Sequence, residues 1–455
     1  MMLSRSSFAR NAPRALQKQC SVTGASGRRG MASATQFDVS ESSGVKVANR
    51  ETAGPTGTLA LVAKAGSRYQ PFPGFAEALD EFAFKSTLKR SGLRITREVE
   101  LLGGEVSSTH SRENVVLTAK YLANDLPYFV ELLAEVASQS KFAAHELQEI
   151  VIKHLKYRQQ AFAANPEAQA LDAAHAVAFH QGLGASITPS TNVPFEKYLS
   201  ADAIAEYAQK AFSKSNVALV GTGSNSAELS KWVGQFFKEL PSAGGLQSAA
   251  SKYYGGEQRI SSKAGNAVVI AFPGSSAFGA SGYKPEASVL AALLGGESTI
   301  KWTPGFTLLS KATQGFSQLR ASTQNLSYSD AGLLSVSLSG QADQVAAASK
   351  NVVDVLKKAA AGEVAAEDIK KATALAKFRA LEAAETLSTG LEATGSALLN
   401  TGKIAQLSEV AKSFDAVTEA QVKDAAKSVL SGKATVAAVG DLHQLPFGED
   451  LGLTV

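Results

Sequence analysis

The sequence predicts an α+β protein made of two similar halves, roughly residues 40–240 and 258–455. Strand–helix units recur in the same order in both halves at a spacing of about 218 residues, as expected for an internal duplication. Between the halves, residues 241–257 have the Gly, Ser and Ala composition of a linker. The 455-residue chain is 45% hydrophobic and 19% charged, which is typical of a globular protein with more than one core.

Three kinds of unit recur. The first is an apolar strand that leads through Gly-Ser into a helix, and the second is a strand followed by an amphipathic helix. The third begins with a hydroxyl N-cap and an acidic first turn, and continues through a helix to an apolar strand that ends in Gly. The Ala-rich segment 365–401 predicts one long helix or a helical pair. The corresponding pairs are 58–68 with 267–276, 113–136 with 330–358, and 200–221 with 418–440.

Residues 1–31 have the composition of a mitochondrial transit peptide. They contain six basic residues and no acid, since the first acid of the chain is Asp38, and they lack the unbroken apolar stretch of a secretory signal. The step from Arg29 through Met31 to Ala32 resembles a matrix cleavage site, so we expect cleavage near Met31 and Ala32. The alternative is an unstructured basic terminus. Without these six charges the net charge falls from +4 to −2, which gives no reason to expect a nucleic-acid partner.

Cysteine and hydropathy exclude several classes of protein. The single cysteine is Cys20, inside the predicted transit peptide, so the body of the chain has no thiolate nucleophile, disulfide or Cys-ligated cluster. No haem-attachment C-x-x-C-H is present. The longest charge-free windows, 173–195 and 264–283, are interrupted by polar residues, Gly and Pro, and do not predict a transmembrane helix. We expect any contact with a membrane to be made through other subunits.

The stretch 65–123 resembles the N-terminal domain of the mitochondrial processing peptidase family, zinc peptidases with an inverted H-x-x-E-H motif. The resemblance extends over most of the chain. It implies two peptidase-like domains joined by a linker, each a mostly antiparallel sheet with packed helices. The matching pieces are Gly66-Ser67-Arg68, Ala83-Phe84-Lys85-Ser86-Thr87, Glu98 to Gly104, and Ser111-Arg112-Glu113.

This resemblance also locates the zinc motif, and the chain departs from it there. The two histidine positions carry Glu77 and Glu81, the general-base position carries Asp80, and the third ligand position falls at Arg158. Catalytic zinc needs three protein ligands and an open position, and a guanidinium that always keeps its charge repels a dication. A shortened base would also lie farther from an attacking water. We therefore expect no catalytic residue, no bound metal and no cofactor in this chain.

Three hypotheses for Glu77, Asp80 and Glu81 remain open at this point, because their i, i+3, i+4 spacing puts them on one helical face. They form a solvated acidic first turn with a Glu81–Lys85 ion pair, or bind a hard cation, or retain some peptidase chemistry.

Other candidate motifs are weaker. The six histidines are His110, His145, His154, His175, His180 and His443, and their spacing favours ordinary hydrogen-bonded or surface roles over metal ligation. The Gly-Gly pairs lack the spacing of a phosphate loop and are expected in turns and helix C-caps. The glycine-rich loop by which the family holds presequences corresponds to residues 293–306, where only Gly295, Gly296 and Gly305 remain.

Within the family, segments 126–136 and 295–306 make the chain most similar to the non-catalytic branch found in mitochondrial respiratory complex III (ubiquinol–cytochrome c reductase). That resemblance implies a structural core subunit without its own redox centre, peripheral on the matrix side of the inner membrane, in a dimeric complex. The implied partners are core subunit 1, cytochrome b and cytochrome c1. The alternative is the non-catalytic partner subunit of a heterodimeric processing peptidase, which would bind presequences.

Overall fold

The strands of the chain form two mixed sheets. The computed structural model describes residues 36–242, 244–296 and 305–455. The predicted transit peptide, its cleavage point near Met31 and Ala32, and Cys20 lie outside these residues. In the described ranges the first sheet has six strands and the second has five. The strands are β1 Asp38–Ser42, β2 Val45–Arg50, β3 Thr56–Ala63, β4 Glu105–His110, β5 Val115–Leu122, β6 Val217–Thr222, β7 Gly256–Ser261, β8 Asn266–Pro273, β9 Arg320–Ser327, β10 Gly332–Gly340 and β11 Thr435–Gly440.

Both sheets have the same strand order, which confirms the predicted duplication and fold class. The first runs β1-β2-β6-β3-β5-β4 and the second runs β7-β11-β8-β10-β9, so the second repeats the first without its edge strand β1. In each sheet the last strand of the half inserts between two earlier ones. β6 pairs parallel with β2 and antiparallel with β3, as β11 does with β7 and β8. The remaining pairs are antiparallel, as predicted.

Helices account for most of the rest of the chain. The predicted hydroxyl N-caps are present: Ser200 accepts a hydrogen bond from the N–H of Ala203, and Thr418 forms a capping box with Gln421. The segment 365–401 forms a helical pair, as one of the two alternatives predicted. The helices are α1 Phe75–Phe82, α2 Gly92–Leu101, α3 Leu126–Gln139, α4 Ala144–Glu146, α5 Ile152–Ala163, α6 Pro166–Phe179, α7 Ala201–Ala211, α8 Ser226–Phe236, α9 Pro285–Leu294, α10 Leu308–Ala312, α11 Ala342–Ala361, α12 Ala366–Glu385, α13 Leu387–Asn400, α14 Leu407–Asp415 and α15 Glu419–Ser431.

Each sheet is covered on one face by helices of its own half and on the other by a single helix of the opposite half. Helix α6 packs on the second sheet, where alanines such as Ala174 share a buried apolar cluster with Val269 and Val439. Helix α13 packs on the first sheet, where Leu391 and Leu398 join Val62 in a buried cluster. This exchange closes both apolar faces of each sheet and interlocks the two halves, so residues 37–455 form one compact unit.

The approach of α13 to the first sheet is close enough to require glycine. A Cβ built on Gly395 would lie 2.5 Å from Cγ2 of Val62. The Nζ of Lys46 in β2 also donates to the carbonyl oxygen of Leu398 at 3.0 Å. The exchanged helix is therefore held by tight packing and by a backbone contact near its C-terminal end.

An ionic network that is buried at Arg68 and Glu113 and more exposed at Asp330 joins the halves, and it uses residues that carry the family resemblance. The guanidinium of Arg68 donates to Glu113 at 2.9 Å and to both carboxylate oxygens of Asp330 at 2.7 Å. Ser329 donates its N–H and its hydroxyl to the same Glu113. Since Asp330 and Ser329 belong to the second half, these motif residues fix the geometry between the halves.

The segment between the halves is anchored. Within its described residues, the carbonyl of Pro241 accepts from the N–H of Lys214, that of Ala249 accepts from Arg68, and the N–H of Tyr254 donates to Ala178. Strand β7 begins at Gly256, so the last two residues of the predicted linker belong to the second sheet. In the described ranges, the helices are too short or too polar to cross a lipid bilayer.

Candidate functional site

The structure brings together the four positions at which the family resemblance locates the zinc motif. Helix α1 carries Glu77, Asp80 and Glu81, and α5 carries Arg158. The guanidinium of Arg158 lies among the three carboxylates. Its Nη2 is 2.5 Å from Oε1 of Glu81, and its Nη1 is 3.1 Å from Oδ2 of Asp80 and 3.7 Å from Oε1 of Glu77. We call these four residues the α1–α5 cluster.

The hypothesis of a solvated acidic first turn is wrong. The exposed fraction of Glu77 is 0% and that of Asp80 is 5%, because α1 lies between the sheet and α5. The predicted Glu81–Lys85 ion pair is also missing, since α1 ends at Phe82 and the chain turns at Phe84, where φ is +59°. Glu81 instead pairs with Arg158 and with Nδ1 of His154, 2.8 Å away.

His110 also contacts the α1–α5 cluster, which the sequence did not predict. This residue ends the edge strand β4, and its Nδ1 lies 2.8 Å from Oδ2 of Asp80. His110 and Asp80 are thirty residues apart in the chain, and neither spacing nor composition connects them. The one available signal was alternation along β4, which places Val106, Ser108 and His110 on its less exposed face.

Burial and charge act in opposite directions on the two most buried carboxyl groups. Burial raises the pKa of Glu77 to about 7, although His110 and Arg158 oppose the shift. Both carboxylate oxygens of Glu77 lack a hydrogen-bond donor among the described residues. Burial alone would also raise the pKa of Asp80, but the hydrogen bond with His110 and the charge of Arg158 hold it below its ordinary value. Thus Asp80 stays ionised at neutral pH while Glu77 is partly protonated.

This arrangement is unsuited to a divalent cation. A zinc or magnesium ion bound by the three carboxylates would be only a few ångströms from a guanidinium that already pairs with each of them. Among the residues that the structure describes, no group of three or more His, Cys, Asp or Glu side chains is placed to hold a metal ion. The geometry favours an ionic cluster, buried at Glu77 and Asp80 and partly exposed at Arg158, that holds α1 against α5.

The other histidines are dispersed. His145 and Glu149 are both exposed, whereas His175 is buried and hydrogen bonds through Nε2 to the hydroxyl of Tyr328 in the second half, at 2.8 Å. Burial, with a smaller effect of nearby Arg112, lowers the pKa of His175 to about 3, so this imidazole is neutral. His180 stacks on Tyr254 at 4.1 Å between ring centres, and His443 is exposed.

Most of the predicted glycine loop, residues 297–304, lies outside the described residues. In the described part of this loop, Gly295 directly follows α9 with a φ of +65°. The N–H of Gly295 donates to the carbonyl of Ala291. This is the helix-ending role predicted for the Gly-Gly pairs. The hydroxyl of Thr307 accepts from the N–H of Gly296 at 3.2 Å.

Comparison with known families defines the class of protein to which this geometry belongs. Residues 46–190 match the family described as Insulinase (Peptidase family M16), and residues 198–375 match the Peptidase M16 inactive domain. The two matches lie in tandem: the first falls within the first half, and the second runs from the end of the first half into the second. The predicted resemblance to zinc peptidases of the processing-peptidase type is thereby confirmed at the level of fold.

Relatives that match over most of their length identify the branch of this family to which the chain belongs. The chain is 48% identical to the protein named "Cytochrome b-c1 complex subunit 2, mitochondrial" from Neurospora crassa, over the whole of both chains. The protein of the same name from Cryptococcus neoformans is 37% identical over 90% of this chain and 93% of its own length. The one from Homo sapiens is 29% identical over 90% of each chain. The chain belongs to the family of mitochondrial cytochrome b-c1 complex subunit 2 proteins.

Proposed function

We propose that this chain is a non-catalytic structural subunit, core subunit 2, of mitochondrial complex III. Its role is to support assembly and stability of the complex, while electron transfer from ubiquinol to cytochrome c takes place in other subunits. The observation that carries the proposal is the full-length similarity to the Neurospora crassa relative. The α1–α5 cluster supports it, because Arg158 already pairs with the carboxylates that a metal ion at this site would have to bind.

The finer parts of the proposal concern position and partners. We propose that core subunit 1, cytochrome b and cytochrome c1 are the direct neighbours, and that the chain is peripheral on the matrix side of the inner membrane. Import would use residues 1–31, whose six basic residues suit a negative-inside potential, with removal near Met31 and Ala32. An apolar interface of more than about 2,000 Å² in total is expected of a permanent subunit.

The first test is a difference spectrum of what copurifies with the tagged chain from a mild-detergent mitochondrial extract. The tag should follow a flexible spacer, because Leu451 and Leu453 near the C-terminus are buried and Thr454 accepts from the N–H of Ala434. We expect b- and c-type haem bands together in the dithionite-minus-ferricyanide spectrum. A haem-free heterodimer that cleaves presequence peptides would instead identify a processing-peptidase subunit, the alternative that these relatives do not support.

The matched control replaces the six basic residues of segment 1–31 by Gln in the same tagged chain. If residues 1–31 direct import, the variant stays outside mitochondria and no haem copurifies with it. Normal import of the variant would refute the assignment of residues 1–31 as a transit peptide, without affecting the proposed place in complex III.

A second test addresses the α1–α5 cluster. A variant with all four substitutions restores the zinc ligands and the base, yet we expect it to cleave presequence peptides barely above background. The reason is that the surrounding groups no longer orient a zinc-bound water. Efficient cleavage would show that the environment of a peptidase site is intact and would contradict our account. The substitutions are Glu77→His, Asp80→Glu, Glu81→His and Arg158→Glu.

A further inference from the structure

A cavity of about 360 Å³ lies between the two halves, and its lining includes no residue of the α1–α5 cluster. Helix α13 forms one wall, the turn between β4 and β5 a second, and the loops that follow β8 and β9 a third. Its size falls in the range of small-molecule sites, and it is too small to receive a folded partner.

The cavity exists because α13 presents small side chains to it. Gly390, Ala393, Ser396 and Ala397 line the wall in successive turns, where larger apolar residues would fill the space. Phe278, Leu407 and the ring of Tyr328 complete a lining that is mostly apolar.

One carboxylate in this lining has an unused hydrogen-bond acceptor. Glu392 is half-buried and accepts from the hydroxyl of Ser111 at 2.7 Å and from Nδ2 of Asn114 at 3.0 Å, both through Oε1. Its Oε2 has no hydrogen-bond partner among the described residues.

The other charged residues of the lining, Arg112 and Glu113, are already paired. Arg112 donates to Asp172 at 2.6 Å, and Glu113 accepts from Arg68 at 2.9 Å. Glu392 is therefore the charged group of the lining that a ligand can still engage.

We propose that this cavity is a binding site for a small amphipathic amine, whose apolar body fills the space along α13 and whose amino group donates to Oε2 of Glu392. A hydrogen bond to a carboxylate is stronger than one between neutral groups. A carboxylate head would face Glu392 and be repelled by it, and a purely apolar ligand makes no hydrogen bond to Oε2. An amine, protonated or neutral, has the donor that this acceptor needs.

The test uses three probes with the same ring system and different heads: 1-naphthylmethylamine, 1-methylnaphthalene and 1-naphthaleneacetic acid. Their binding to the full-length chain is followed by ligand-observed NMR titration. We expect saturable binding of one amine per chain. The amine should bind about tenfold more tightly than the hydrocarbon, because hydrogen bonds to a charged group are the strongest kind. The acid should bind more weakly than the hydrocarbon.

Three variants locate the binding. Ala397→Leu fills the cavity and should abolish amine binding, whereas Ser388→Leu, on the same helix but outside the lining, should leave it unchanged. Glu392→Gln keeps an oxygen that accepts from Ser111 and Asn114. It should weaken binding of the amine about tenfold without affecting binding of the hydrocarbon. Circular dichroism confirms folding of each variant, and Glu392→Gln keeps the test decisive if Ala397→Leu does not fold.

Any of three results overturns the proposal. The amine fails to bind up to millimolar concentration, or all three probes bind alike and Glu392→Gln changes nothing, or the folded Ala397→Leu variant binds the amine as well as the parent does.

Discussion

Replacement of Glu77 by Gln tests the electrostatics of the α1–α5 cluster most directly. Glu77 is fully buried, its carboxylate oxygens have no hydrogen-bond donor among the described residues, and its nearest cation, Nη1 of Arg158, is 3.7 Å away. Burial raises its pKa from 4.5 to about 7, so the folded chain binds a proton that the unfolded chain releases. Gln has nearly the same shape and cannot ionise.

The sign of the effect follows from linkage. A raised pKa in the folded state contributes stability that is fully present below the unfolded pKa, near 4.5, and is lost as the pH rises through about 7. A tenfold difference in proton affinity between the folded and unfolded chains corresponds to about 1.4 kcal/mol, so the full loss is about 3 kcal/mol. Most of it, about 2.5 kcal/mol, falls between pH 5 and pH 8 by the same relation. The Glu77→Gln variant should lack this loss.

The assay is urea unfolding of the chain without residues 1–31, followed by circular dichroism at half-unit steps from pH 5 to pH 8. The quantity compared is the difference in unfolding free energy between Glu77→Gln and the parent, because titration of the groups that do not interact with Glu77 cancels in it. This difference should shift in favour of the variant by about 2.5 kcal/mol over that range. Glu363→Gln, at an exposed position beyond α11, should follow the parent at every pH.

A pH-independent difference between Glu77→Gln and the parent, flat to within about 0.5 kcal/mol, would contradict this prediction. It would mean that Glu77 stays ionised in the folded chain because Arg158 compensates its burial. A difference that changes in the opposite direction would mean that the ion pair outweighs burial altogether.

Two further predictions concern the junction of the halves. Arg68→Met leaves Glu113 buried without its cation and should lower the free energy of unfolding by about 3–5 kcal/mol in urea titrations. Adding Glu113→Gln should recover part of that loss. A double variant with the same free energy of unfolding as Arg68→Met would show that the unpaired charge of Glu113 is not its cause. Gly395→Ala forces a Cβ to within 2.5 Å of Val62 and should cost about 1–3 kcal/mol and expose α13 to limited proteolysis. Gly315→Ala, with open space around it, is its control and should be near neutral.

Local patterns in the sequence determined the elements and their order. Apolar runs marked β3, β6, β8 and β11, and the hydroxyl caps at Ser200 and Thr418 marked two helix starts. The duplication was visible for the same reason: the spacing of polar and apolar residues is a property of each segment by itself. The repeated order of those segments indicated that the two halves share one architecture, but it did not indicate which strands pair.

The contacts between distant segments were decided by the tertiary structure alone. An apolar helix face specifies burial but not which surface buries it, so the exchange of α6 and α13 between the halves could not be derived from their sequences. The same limit applies to the α1–α5 cluster. Three carboxylates on one helical face look the same in sequence whether they meet water, a metal ion or Arg158, and the packing of α1 against α5 and β4 decides between these environments.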